Sequence, residues 1–419
     1  MTYFGTNNIG VKHQNLSAIL LKLLQTEDTS RSQLAHQLGI ASSTVTNLVG
    51  ELIAAGIVSE FGAMQADSQA NIGRPKTALR LNHDALYAVG VHFDVGLVHI
   101  ALVDLSGKVI KTHTIGHSLE AAWSDVLDKT CQHVTLLLDN TRIDPAKILG
   151  VGVAASGLVD PNTGINVFAP NLKWHNVPIQ DYVGRRLGFP VIVENNVRAM
   201  ALGEFLFGIA RGVHSTAFVY ARYGVGAGFV VNGQLFRGSG AGAGEIGHAK
   251  FLLQQNESNR NVVGLEDLIS EPAILRDVYA LAGQLPSDLQ HLAQNDQLTL
   301  PDVFRAARQG EQKILYFLQE RAFYAGLALA NLVNIFNPDL IVLGGLLDHY
   351  ADILLLQIRR TATEHAFAAL AETIRIEQTS LGEQAGMIGA AALVLSEMFY
   401  RPGIHSQRIW KEEQIRNNL

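Results

Sequence analysis

The sequence predicts an α/β protein in which a small helical head precedes a larger body of two α/β lobes. Three observations predict it. Apolar residues recur at helical spacing near the start, strands, glycine turns and helices alternate from residue 87 onward, and 419 residues allow two to three domains. We therefore expect the head at 1–83, a first lobe at 84–195 completed by 385–400, and a second lobe at 196–384.

The composition excludes several classes of protein. With 48% hydrophobic and 17% charged residues the chain can bury a large core, so wholesale disorder is excluded. Apolar stretches such as 340–347 are far shorter than the ~18 residues of a membrane span, and no signal-like segment opens the chain. A single cysteine, Cys131, excludes a disulfide scaffold. We expect a soluble, cytoplasmic protein.

Charge is distributed unevenly between head and body. Residues 1–83 carry six Lys and Arg against five Asp and Glu, a net charge of +1, so the total of −6 leaves −7 on the body. An acidic body does not bind nucleic acid unspecifically, and a nearly neutral head has modest affinity for phosphate. Any recognition of DNA must therefore come from shape and specific contacts, and dimerisation would double the number of these contacts.

Three helices are predicted in the head, over 16–24, over 30–38 and over 42–53. Ser30 and Gln33 have the spacing of a capping box at the start of the second. Gly39 supplies the turn before the third helix, which gives a helix-turn-helix arrangement. Hydroxyl and amide side chains on the outer face of the third helix can reach base edges and phosphates in a major groove. The predicted DNA-contacting residues of this helix are Ser42, Ser43, Thr44, Thr46 and Asn47. The alternative is a polar outer face on an ordinary helical bundle.

Two predicted strands follow the third helix, over 58–61 and over 79–81. The basic sequence Gly73-Arg74-Pro75 lies between them, as in the wing of a winged helix. Its extended backbone would let Arg74 enter a narrow, A·T-rich minor groove, where the potential is most negative. The alternative for these three residues is a surface turn.

The body resembles the ROK family of repressors, open reading frames and sugar kinases. The segments that carry the resemblance lie at 90–107, 169–179, 194–212, 240–251 and 330–345. The resemblance implies a winged helix-turn-helix, which family repressors have and family kinases lack, joined to a two-lobed actin-like/sugar-kinase (ribonuclease H-like) body. It also implies a sugar bound in the cleft between the lobes, and a homodimer or a dimer of dimers.

Three departures from the kinase pattern predict that the chain is not an enzyme. Segment 94–98 reads Asp-Val-Gly-Leu-Val where family kinases have Asp-x-Gly-Gly-Thr, and 222–224 reads Arg-Tyr-Gly instead of Gly-Thr-Gly. Both are phosphate loops whose small residues let the backbone approach ATP. Asn196 stands where the kinases have the Asp that takes the proton from the sugar hydroxyl. An amide cannot be that general base at neutral pH.

The sugar-binding positions of the family are kept. The resemblance assigns this role to Asn171, Asn195, Asn196, Glu245, His248 and Glu266. Amides and carboxylates suit a polyol because they make paired, directional hydrogen bonds with neighbouring hydroxyls. The alternative for any one of them is a satisfied polar residue in a loop or a helix cap. Xylose, glucose and an N-acetylated hexosamine are all compatible with this set.

No metal or other cofactor is expected. In most of the family, the residue that corresponds to His248 is a zinc ligand with three cysteines after it, but 254–266 contains no cysteine and is shortened. One histidine cannot supply the four ligands of a structural zinc ion.

Together these features predict a sugar-responsive transcriptional regulator, a repressor of carbohydrate uptake or catabolism genes. Its partners would be operator DNA, a monosaccharide effector and a second copy of the chain. A regulator gated by a sugar-phosphate or by a partner protein is the alternative, and an ATP-dependent sugar kinase is disfavoured by Asn196 and Leu97. The sequence leaves open whether the sugar releases or recruits DNA.

Overall fold

The computed structural model describes residues 8–26, 28–63, 77–256 and 259–401 of the chain. The head elements are α1 (Asn8–Gln25), α2 (Arg31–Leu38), α3 (Ser42–Ala54), β1 (Val58–Ala63) and β2 (Thr77–Leu81). The predicted capping box at the start of α2 is present, with the Ser30 hydroxyl accepting from the Gln33 amide and the Gln33 side chain accepting from the Ser30 amide. Gly39, at φ +64°, ends α2. With β1 antiparallel to β2, the order of elements is that of the predicted winged helix-turn-helix.

The first lobe is built on a sheet whose strand order is β10–β6–β3–β4–β5. Its elements are β3 (Tyr87–Asp94), β4 (Leu97–Asp104), β5 (Val109–Gly116), α4 (Trp123–Asp139), β6 (Ile148–Ala155), β7 (Leu158–Asp160), β8 (Ile165–Ala169), β9 (Trp174–Pro178), α5 (Ile179–Leu187) and β10 (Val191–Asn195). Strands β3, β4 and β5 form an antiparallel meander, whereas β6 pairs in parallel with β3 and β10. Every residue of β3 and β6 is buried, as in a sheet covered on both faces.

The second lobe repeats this plan, with strand order β13–β12–β11–β16–β17. Its elements are α6 (Asn196–Phe207), β11 (Ser215–Ala221), β12 (Val225–Val231), β13 (Gln234–Phe236), β14 (Lys250–Asn256), β15 (Asn259–Gly264), α7 (Glu266–Ile269), α8 (Glu271–Ala280), α9 (Ser287–Gln294), α10 (Leu300–Arg308), α11 (Gln312–Phe336), β16 (Leu340–Gly345), α12 (Leu346–His349), α13 (Ala351–His365), α14 (Ala368–Ala371) and β17 (Ile376–Gln378). Strand β16 is parallel to β11 and β17. Because β12 is antiparallel to β11, the end of β11 and the start of β12 lie at the same edge of the sheet.

Helix α15 (Ala385–Val394) returns to the first lobe after the second is complete. It lies so close to β3 and β6 that a side chain on Gly90 would collide with the Met387 carbonyl, and one on Gly152 with the Ala390 carbonyl. The helix continues directly into a π-helical turn, Leu395–Tyr400. Within the described residues, no helix is both long and apolar enough to cross a membrane.

The head packs on the body through an apolar core that both share. Ile19 and Leu20 of α1 belong to the same buried cluster as Leu395, Phe399 and Tyr400 of the π-helical turn. The Tyr400 hydroxyl also donates a hydrogen bond to the Leu105 carbonyl of the first lobe. The head is therefore anchored directly to the C-terminal end of the body's fold.

Candidate functional site

The start of β12 is a meeting point of the two lobes. A methyl group on Gly224 would lie 3.0 Å from Oε2 of Glu266 and 3.4 Å from Nδ2 of Asn171. Asn171 belongs to the first lobe, in the turn before β9, and Glu266 begins α7 of the second lobe. These two predicted sugar ligands therefore approach the same glycine from different lobes.

The segments that carry three other predicted ligands pack on the next residues of the strand. A methyl group on Gly226 would lie 3.3 Å from the side chain of Val197, which follows Asn196, and 3.9 Å from the carbonyl of Gly244, which precedes Glu245. That carbonyl accepts a 2.7 Å hydrogen bond from the Ala227 amide. The turn that carries Glu245 and His248 thus packs on β12, and both of these side chains are exposed.

The adjacent residues Asn195 and Asn196 have different surroundings. Oδ1 of Asn195 accepts from the amides of Val197 (3.0 Å) and Arg198 (3.1 Å), and its Nδ2 donates to the Gly157 carbonyl at 2.9 Å. Asn195 is therefore the N-cap of α6 and has one N–H left for a ligand. The Asn196 side chain is buried and makes no hydrogen bond with any described residue, so its carbonyl oxygen and its NH2 group have no protein partner there. The pattern of strand followed by helix was the sequence signal for this cap.

Glu266 is held in place by the strand it approaches. Its Oε2 accepts a 2.9 Å hydrogen bond from the Val225 amide, and the residue is half-buried. The other carboxylate oxygen, Oε1, makes no hydrogen bond within the described parts of the chain, and a carboxylate oxygen can accept from a sugar hydroxyl.

A buried ion cluster fixes the start of α6. Glu194 is fully buried and pairs with Nε of Arg198 at 2.8 Å and Nε of Arg237 at 2.7 Å. It also accepts from the Asn195 amide, and Arg198 donates to the Ala243 carbonyl. The cluster therefore fixes the position of Asn196 relative to the loop before Glu245. Sequence reasoning missed it, although the i,i+4 spacing of Glu194 and Arg198 was a signal.

A second ion pair joins the two loops that correspond to the phosphate loops of family kinases. Arg222, after β11, pairs with Asp94, the last residue of β3. Asp94 also accepts a 2.8 Å hydrogen bond from the Val95 amide. Sequence reasoning identified both loops as altered but did not connect them.

The outer face of α3 is the candidate DNA-binding surface. Ser42, Ser43, Thr46 and Asn47 are exposed and Thr44 is half-buried, while Val45, Leu48, Val49 and Leu52 face the core. Thr46 donates to the Ser42 carbonyl, and no side chain caps the helix at Ala41. The first amides of α3 therefore remain open to an anion such as a DNA phosphate. Arg74 lies outside the described residues.

The histidine of the family's zinc motif has no metal-binding neighbours in the described residues. No group of three or more His, Cys, Asp or Glu side chains there could hold a metal ion. Cys131 lies buried in α4 of the first lobe, where burial raises the pKa of its thiol to about 11. A structural zinc ion needs four such ligands.

Comparison with known proteins agrees with this architecture. The sequence pattern of the ROK family matches residues 89–397. A xylose repressor of Caldicellulosiruptor bescii is 29% identical over 398 residues, which are 94% of this chain and 99% of the relative. The crystal structure of a ROK family transcriptional regulator, a homologue of the E. coli Mlc protein, has a TM-score of 0.76 at 27% identity and covers 92% of this chain and 96% of its own. A ROK family glucokinase from Streptomyces griseus, solved with glucose and AMPPNP, has a TM-score of 0.63 at 26% identity, over 73% of this chain and 98% of its own.

Proposed function

The chain belongs to the ROK family, and we propose that it is a sugar-responsive DNA-binding transcriptional repressor and not a sugar kinase. The observation that carries the proposal is the exposed polar face of α3, on a head that shares its apolar core with the body. Full-length similarity to the xylose repressor supports it, because that similarity spans 94% of the chain.

The head would bind operator DNA as one half of a dimer. Two heads would occupy the half-sites of an inverted repeat, each with α3 in a major groove. The open amides at the start of α3, with Ser42 and Ser43, would contact phosphate, and Asn47 would pair with adenine. Arg74 would enter the flanking minor groove.

The cleft would bind a monosaccharide that contacts both lobes. Asn171 would bind it from the first lobe and Glu266 from the second, with Asn196, Glu245 and His248 completing the site. A ligand that contacts both lobes stabilises one angle between them. Since that angle sets the placement of the heads, a sugar and an operator that favour different angles weaken each other's binding by the same factor.

A chain of packed elements leads from the sugar site to the head. Helix α6, which begins at Asn196, packs on α15, and α15 continues into the π-helical turn that packs on α1. Sugar binding at one end of this chain can therefore shift the head without a flexible linker.

Phosphoryl transfer is not part of the proposed function. Asn196 cannot take the proton of a sugar hydroxyl, which alone would cost a rate factor of roughly 10²–10⁴. The ion pair between Arg222 and Asp94 also places a bulky cation between the two altered phosphate loops. We propose that neither ATP nor zinc is a cofactor.

A thermal-shift screen of the purified chain tests the sugar part of this proposal. The panel holds free monosaccharides and their phosphates, each with and without ATP and magnesium. One free sugar should stabilise the fold by roughly 2.7 kcal/mol at one hundred times its dissociation constant, with no further effect of ATP. Stabilisation by a phosphorylated sugar alone would contradict gating by free sugar, and formation of ADP with any sugar would show a kinase.

Selection of bound duplexes from a random DNA library tests the DNA part. An inverted repeat should emerge from the intact chain, and the sugar found in the screen should release it. The variant Asn47→Ala should lose affinity for that repeat, whereas a library that yields no preferred sequence would contradict a repressor.

A further inference from the structure

The ion pair between Asp94 and Arg222 connects the two lobes, between which the chain crosses at Asn195–Asn196 and again before α15. Among the ion pairs of the described residues, those on Glu194 lie beside the first of these crossings, at the start of α6. Asp94 ends a strand of the first lobe and Arg222 follows a strand of the second. The pair therefore joins the two lobes at a place other than the start of α6.

Both partners are placed for an effective interaction. The Asp94 side chain is 8% exposed and the Arg222 side chain 37% exposed, so solvent screens the pair only in part. The Arg222 guanidinium lies 5.4 Å from the centre of the Tyr223 ring. Separation of the lobes would break this ion pair and leave Asp94 without its cation.

The loop that carries Arg222 also contacts the candidate sugar site. Arg222 donates from its amide to the Gly224 carbonyl at 2.9 Å, and its carbonyl accepts from the Glu271 amide at 2.7 Å. Three residues after Arg222, the Val225 amide binds the Glu266 carboxylate. A shift of Glu266 on sugar binding would therefore move the arginine that holds the other lobe.

We propose that Arg222 is an interlobe latch, whose ion pair with Asp94 holds the lobes together and transmits sugar occupancy at Glu266 to the angle between them. The link to sugar rests on the proposed function, which places a sugar beside Glu266. The control of lobe separation does not depend on it.

Distance measurements between the lobes test the latch without any ligand. Spin labels at Lys111→Cys in β5 and Lys313→Cys in α11, both exposed, in a Cys131→Ala background report the separation by pulsed electron resonance. Arg222→Gln, Asp94→Asn and the double variant should each give the same longer and broader distance distribution. Asp94→Asn keeps an acceptor for the Val95 amide, so it removes the charge while leaving the local turn its hydrogen bond.

A matched control distinguishes the effect of losing this interlobe ion pair from the effect of losing any ion pair. Arg321→Gln removes an ion pair with Asp277 inside the second lobe and should leave the interlobe distances unchanged. Arg222→Lys, which keeps the charge, should retain most of the short distance. Unchanged interlobe distances in both Arg222→Gln and Asp94→Asn would overturn the latch. An increase in distance in the double variant that equals the sum of the increases in the two single variants would also overturn it.

Calorimetry with the sugar from the thermal-shift screen tests the second half of the proposal. Both single variants and the double variant should bind that sugar with the same affinity, about tenfold weaker than the unaltered chain. Longer distances with unchanged sugar affinity would overturn the link to the sugar. If the unaltered chain binds no sugar, the proposed function fails. The interlobe distances alone then test whether Arg222 holds the lobes together.

Discussion

Gly203 in α6 faces Gly389 in α15 so closely that a methyl group on Gly203 would lie 3.0 Å from the Cα atom of Gly389. Helix α6 begins at the candidate sugar ligand Asn196, and α15 leads to the turn that packs on the head. Two facing glycines let the helix backbones touch, and a tight contact transmits small shifts because packed interiors deform little. This contact connects the helix that begins at the candidate sugar site with the helix that leads to the head.

Gly389→Ala should weaken the contact between α6 and α15. A methyl group there would lie 2.5 Å from the Ala199 carbonyl, so the helices must separate, at a cost of about 1–3 kcal/mol. Urea unfolding of the variant measures the loss. Gly283→Ala is the matched control because its methyl group would meet open space. Equal stability of both variants would show that the helices are not in tight contact.

Asn195 and Asn196 should respond differently to alanine. Asn195→Ala removes a helix cap and the bond to the Gly157 carbonyl, and should lower the free energy of unfolding by about 1–2 kcal/mol. Asn196→Ala should leave stability nearly unchanged but weaken sugar binding by about tenfold or more, because the lost groups bind only the ligand. Thermal unfolding and calorimetry of both variants measure these effects. The reverse pattern would contradict the placement of the sugar at Asn196.

Asn47→Ala should weaken operator binding. Loss of a bidentate contact to a base costs about 1–3 kcal/mol and relaxes the preference at that base pair. Fluorescence anisotropy with the selected duplex and with single-base variants of it measures both effects at fixed salt. Asn331→Ala, at an exposed position of α11 in the body, is the control and should bind as the unaltered chain does. A similar loss in both variants would exclude a specific contact from α3.

The buried His92 should make stability depend on pH. Burial lowers its pKa to about 4 from an ordinary value of 6.5, against the opposing effect of the Asp94 carboxylate. Between these values the unfolded chain binds a proton that the folded chain does not. The contribution of neutral His92 to the free energy of unfolding is therefore complete above pH 6.5 and is lost as the pH falls towards 4. The loss is roughly 2 kcal/mol at pH 5.

Comparison with His92→Gln isolates this contribution from that of other groups. The free energy of unfolding should fall less between pH 7 and pH 5 in the variant than in the unaltered chain. An equal fall in both would show that His92 takes up its proton in the folded state.

Local patterns in the sequence predicted the head well. The helical spacing of apolar residues and the Ser30–Gln33 capping box depend on neighbours a few positions away, and the structure confirms both. The two-lobed body was predicted from the alternation of strands, glycine turns and helices, and the family resemblance added the sugar in the cleft between the lobes.

The polar network of the cleft could not be predicted in the same way. Arg222 and Asp94 are 128 positions apart, and Arg237 and Glu194 are 43 apart, so only the folded chain brings them together. The different roles of Asn195 and Asn196 depend on the residue at which α6 begins. A shift of one position would exchange the cap and the ligand, and helix boundaries are the part of a sequence pattern that is least defined.

Reciprocal titration of sugar and operator tests whether the two binding sites are coupled. Operator affinity is measured with and without saturating sugar, and sugar affinity with and without saturating operator, in the same buffer. Each ligand should weaken the binding of the other by the same factor, of about 5–150-fold, because one conformational equilibrium links both sites. Affinities for sugar and operator that are independent of each other would contradict this coupling.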